Sequence, residues 1–180
     1  CLEHLRQQDT EFQLEILDRV APMSAAFQHM RENCRTPYYV QVDEDMLLYP
    51  GAVRALHQAI RVQEADRPVA VGRLWDVHLE RDIEGVKIFR HHALRGYPFR
   101  DVRATDIDQL RRLGADGLTY GTLRDDSGTP LVLGLHGTHW TPRSIYERFF
   151  TLERTRRQEP RRLQWLEGWS ARLLERGLED

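Results

Sequence analysis

A chain of 180 residues suits one domain and is long enough to bury a real core. Its hydrophobic content of 41% and charged content of 30% are ordinary for a globular protein, and a net charge of −2 argues against a nucleic-acid binder. No apolar run approaches the roughly 20 residues of a membrane span, and Cys1 and Cys34 cannot build a disulfide framework, which points to a reducing cytoplasm.

In chain order, residues 1–8 read as the tail of a helix. Phe12, Leu14 and Ile16 alternate in 12–20, which predicts a strand. Pro22 and Ser24 open a helix with Ala26, Phe27 and Met30 on one face, and Thr36-Pro37 ends it. The next strand is YYVQVDED (38–45), after which Pro50-Gly51 starts a helix carrying Val53, Leu56 and Ile60. Residues 68–77 and 85–89 are β-rich, and 91–99 reads as a short helix or irregular loop. A threonine cap, early carboxylates and a closing Gly114 predict a helix over 105–114. Two further strands flank the turn Asp125-Asp126-Ser127-Gly128. A helix is predicted over about 142–157, then an amphipathic one with Leu163, Leu166, Trp169 and Leu173. Alternating strands and helices in the first half predict an α/β fold, with a mixed, mainly parallel sheet of Rossmann-like type flanked by helices. The expected organisation is a core over 1–158 and a C-terminal helix over 159–180 packed upon it.

The informative stretch is 38–53, an apolar strand that ends in three acids before a Pro-Gly helix start. In extended chain Asp43 and Asp45 point to one face and Glu44 to the other. Two oxygen ligands at the carboxyl end of a strand suit Mg²⁺ or Mn²⁺, with substrate phosphates completing the shell. A solvated acidic loop has the same spacing. A phosphatase with an acid pair after a strand would want threonine or valine next, where this chain has Met46-Leu47.

The order of these features resembles the nucleotide-binding half of family-2-type glycosyltransferases of the GT-A fold. The resemblance runs from Cys1 to about Leu56: Leu5 to Gln8, then FQLEILD ending at Asp18, SAAFQHM, YYVQVDED and MLLYPGAV. It implies a transferase that moves a sugar from a UDP- or GDP-linked donor to a hydroxyl acceptor, with inversion expected. Asp18 would then lie near the donor's nucleoside, and Asp43 and Asp45 would meet ribose and metal. The family's usual first strand does not precede the first helix here, so the sheet is expected to be completed from elsewhere or the chain, which opens at Cys1, to be a fragment. The family's aspartate pair appears only as Asp18-Arg19.

By the same resemblance TDIDQLRRL (105–113) places Asp106 as the base that deprotonates the acceptor hydroxyl, with Asp101 in reserve. Acids at a helix start also simply complement the helix dipole. His136 and His139 stand at a strand end where GT-A enzymes often draw a third metal ligand, His136 being the first choice. Trp75, Asp76 and His91 are candidates for holding the acceptor, a glycan or a lipid-linked sugar. The arginines from Arg143 to Arg162 suit a solvated face or a peripheral contact with anionic lipid. The alternative to an enzyme is a glycosyltransferase-like module that binds or regulates without catalysis.

Overall fold

The computed structural model describes residues 1–102, 104–141, 143–145 and 147. The helices expected over about 142–157 and 159–180 lie, apart from a few residues at the start of the first, outside the described residues. Helix α1 (Leu2–Arg6) drops Leu5 into the core. Helix α2 (Met23–Asn33) follows Pro22, buries Phe27 and leads into β1 (Tyr38–Gln41). The predicted strand 38–45 ends at Gln41, and the three acids lie in the loop that follows. A turn closed by the Met46 N–H on the Asp43 carbonyl (3.1 Å) separates β1 from β2 (Met46–Leu48).

Gly51 then sits at φ 83, a left-handed conformation that glycine takes without a Cβ penalty, and launches α3 (Ala52–Val62). Val53, Leu56 and Ile60 recur at helical spacing and are all buried. Strands β3 (Val69–Asp76) and β4 (Arg81–Arg90) form a hairpin, and a 3₁₀ turn follows at His91–Leu94. Helix α4 (Thr105–Ala115) starts without a side-chain cap: Ala104 takes that place, and the predicted cap Thr105 lies inside the helix. Gly114 is also internal, and Gly117 at φ 80 turns the chain afterwards. Strands β5 (Tyr120–Thr122) and β6 (Val132–His136) complete the order.

Among the described residues six strands form one curled, mixed sheet flanked by helices, in the order β1-β4-β3-β6-β2 with β5 also on β3. It is not mainly parallel. β1 and β3 pair antiparallel with β4, and β2 with β6, whereas β3 runs parallel to β5 and β6. For β3 and β4 the physical reason is connection length, since their short hairpin leaves no room for a crossover helix.

β3 is covered on both faces. Ala70 and Leu74 join Leu56 and Ile60 of α3, while Val69 and Val71 join Phe89, Leu94 and Leu113 of α4. That explains its near-continuous apolar run. Close approach fixes Gly134 of β6, where an added Cβ would overlap the carbonyl oxygen of Leu47. Gly134→Ala is expected to cost up to about 3 kcal/mol, the upper range for overpacking. Gly114→Ala, in a helix with open space around the site, should stabilise by about 0.5–1 kcal/mol. Urea denaturation of the two variants checks the pair, and equal effects would refute it.

The predicted strand over 12–20 is absent. The segment is extended without ladder partners, and Phe12, Leu14 and Ile16 are all exposed. Alternation gives a strand one apolar face, but a strand holds only when a neighbour takes its backbone groups. No helix among the described residues is long and apolar enough to cross a membrane.

Candidate functional site

The turn between β1 and β2 faces the ends of β4 and β6 and the start of α4 across a cleft of about 120 Å³. Asp43, Asp106 and His136 all line it, together with Gln41, Glu84 and Lys87, and Met23 and Phe27 form an apolar wall. Residues far apart in sequence thus share one concavity.

The acidic triplet splits as the alternation implied, although by a turn rather than an extended strand. Asp45 is buried, Asp43 is half-buried and Glu44 is exposed. Burial raises the Asp43 pKa, against a hydrogen bond from the Gln41 amide to its Oδ1 (3.2 Å). The loop after β6 clasps Asp45: the Gly137 N–H donates to its carbonyl (2.9 Å) and the Trp140 indole N–H to its Oδ2 (3.2 Å). Trp140 in turn stacks on His78 and meets His136 edge-on.

His136 lies between two carboxylates. Its Nδ1–H donates to Asp76 Oδ2 (2.8 Å), and its Nε2 stands 3.6 Å from Asp45 Oδ2. A carboxylate only accepts, so the Asp76 contact fixes the proton on Nδ1. Nε2 then presents either a lone pair or a second proton to Asp45. A cation about 2.1 Å from each atom would separate them by about 3 Å at a right angle and by more at a wider one. This is the carboxylate–histidine support often found behind metal-ligating imidazoles. Burial disfavours ionised Asp76, but hydrogen bonds from His136 and from the Leu79 and His78 N–H groups outweigh it and hold its carboxyl below the usual range.

Asp45 Oδ2 and His136 Nε2 are the two atoms here whose spacing would admit a shared cation. Among the described residues no three His, Cys, Asp or Glu side chains stand together as a metal-holding group.

Asp106 sits at the start of α4 with its Oδ2 on the Lys87 ammonium (3.0 Å). Lys87 also donates to the Gly85 carbonyl (3.2 Å) and is buried. The reserve candidate Asp101 is exposed and accepts from Ser24 (3.2 Å).

Other residues named from the sequence lie away from the cleft or apart from one another. Asp18 is not brought to the cleft: its side chain is 79% exposed and its ion pair is with neighbouring Arg19, because the strand meant to carry it has not formed. His139 is exposed on the turn beyond β6 and does not line the cleft. Trp75, Asp76 and His91 do not form one acceptor surface. Trp75 and Asp76 point to opposite faces of β3, Asp76 being committed to His136. His91 follows Arg90, beyond the Val69 end of that strand, and packs edge-on to Tyr39. At about 3.3 Å per residue the two ends of β3 are some 23 Å apart.

Sequence reasoning missed Gln41, Trp140 and the role of Lys87. Of the 26 basic residues Lys87 alone is lysine, and that departure was the available signal. Comparison of the chain with models of known families, with curated proteins and with solved structures finds no match.

Proposed function

We propose that this protein is a metal-assisted glycosyltransferase with a GT-A-like core, moving a sugar from a nucleotide-sugar donor to a hydroxyl acceptor, with inversion. The observation that supports the reading best is the meeting of Asp43, His136 and Asp106 in one cleft, with Asp45 beside His136. In this reading Asp45 and His136 hold Mn²⁺ or Mg²⁺, and Asp43 hydrogen-bonds the donor's ribose. The ion, when bound, neutralises charge on the departing nucleoside diphosphate. Asp76 keeps the His136 proton on Nδ1, so that Nε2 faces the ion. Asp106 takes the proton from the acceptor hydroxyl as the oxygen attacks the anomeric carbon.

A second reading, a module that holds a ligand without transferring it, draws support from the cleft's size. About 120 Å³ is smaller than the roughly 300–1,000 Å³ usual for ligand pockets, and Asp18 contributes nothing to a nucleoside site.

A thermal-shift panel of UDP-, GDP- and CMP-sugars, with and without Mn²⁺, tests both. At a hundredfold excess over Kd a bound ligand adds about 2.7 kcal/mol, so a shift of several degrees is expected for at least one donor, only with Mn²⁺. No shift from any donor would remove the transferase reading. A Mn²⁺-dependent shift with no transfer to any acceptor would favour the module.

A further inference from the structure

Gln41 of β1 and Lys87 of β4 are direct cross-strand partners. Residues paired in this way carry their side chains on the same face, with Cβ atoms about 5 Å apart, and both side chains line the cleft. Each holds an unused hydrogen-bonding position. Gln41 is 5% exposed; its amide nitrogen is spent on Asp43, and its Oε1 has no partner among the described residues. The Lys87 ammonium has three donors, of which Gly85 and Asp106 take two. Two residues that line one small cleft thus carry a buried acceptor without a partner and a charged donor with a position to spare, and groups so buried are normally paired.

The ligand chemistry that answers both is a hydroxyl, which accepts from an ammonium and donates to a carbonyl oxygen. Asp106 lies on the same Lys87 nitrogen, so a second hydroxyl on the neighbouring carbon falls to that carboxylate. Charge argues against an anion: Asp43, Glu84 and Asp106 oppose the single Lys87 around the cleft. Phe27 and Met23 supply an apolar wall for the carbon face of a ring.

We propose that the Gln41–Lys87 pair is a recognition site for adjacent hydroxyls of a neutral sugar ring, beside Asp106. The acceptor is then a glycan and not an isolated alcohol or a phosphorylated one. This assignment of the acceptor rests on the transferase reading; the sugar site itself does not.

Saturation-transfer NMR on the whole chain, with the methyl glycosides of glucose, galactose and mannose, tests it. At least one glycoside should show transfer. Gln41→Leu and Lys87→Met should each weaken its binding about fivefold or more, the effect of losing one such bond. Inorganic phosphate should not displace it. Should Lys87→Met fail to fold, judged by its melting curve, Gln41→Leu carries the comparison, since it leaves the Lys87–Asp106 ion pair in place. No transfer from any of the three glycosides, unchanged binding in the folded variants, or displacement by phosphate would each overturn the assignment. Glycoside binding through this pair without Mn²⁺-dependent nucleotide binding would end the transferase reading and leave the sugar site standing. Nucleotide binding without glycoside binding would sink the sugar site alone.

Discussion

Asp106→Asn is expected to lower sugar transfer by about 10²–10⁴-fold, the usual contribution of a positioned general base, while donor affinity changes by less than about twofold. The split follows from geometry. The Asp106 carboxylate is held by Lys87, whereas the Asp45–His136 pair that the reading gives to the metal is held by Trp140 and Asp76. Asparagine retains an oxygen to accept the Lys87 bond and so spares the packing, but it takes no proton from an attacking hydroxyl. Single-turnover transfer combined with a nucleotide titration measures both halves. Near-wild-type transfer would eliminate Asp106 as the base, and a parallel loss of donor binding would recast it as a donor ligand.

The second large effect is expected at Asp45 and His136. His136→Ala or Asp45→Asn should weaken Mn²⁺ binding, read by paramagnetic resonance in the presence of the nucleotide, by at least about tenfold. In the transferase reading, transfer should fall by about 10³-fold, since the ion would supply several kcal/mol at the leaving group and each 1.4 kcal/mol is tenfold. His139→Ala is the internal control: its exposed side chain lies off the cleft, and its Mn²⁺ affinity should match wild type. Equal losses at His136 and His139, or none at either, would show that the Asp45–His136 pair holds no metal.

Periodicity and punctuation made much of the fold legible. Gly51 announced α3, and the spacing of Val53, Leu56 and Ile60 located its buried face. The β-rich character of 68–77 and 85–89 located β3 and β4, and Asp125 to Gly128 marked the turn before β6. What stayed hidden depends on partners. The alternation of Phe12, Leu14 and Ile16 describes a strand's face but does not supply a neighbour, so the segment lies open. The mainly parallel sheet failed for the same reason, because pairing direction is set by connections that local pattern does not reveal. The site divides likewise. Asp43, Asp45, His136 and Asp106 each stand at an element end and could be picked out by spacing or resemblance. Gln41 could not, since its importance comes from the register that sets it opposite Lys87. Asp76 was taken for a sugar ligand because nothing in its local sequence shows that β6 places His136 opposite it.

The curl of the sheet has a mechanical side. β1 and β2 stand at the two ends of the strand order, yet only the turn over 42–45 separates them in the chain. The sheet therefore bends back until its two margins nearly meet, and the cleft is the seam between them. Marginal β1 and its neighbour β4 contribute Gln41 and Lys87, β6 beside the other margin contributes His136, and the connecting turn carries Asp43 and Asp45. A ligand seated there is a buckle across the seam. Filling the site and fixing the curvature of the sheet would then be one equilibrium, in which a stiffer sheet binds more tightly and a bound ligand stiffens the sheet.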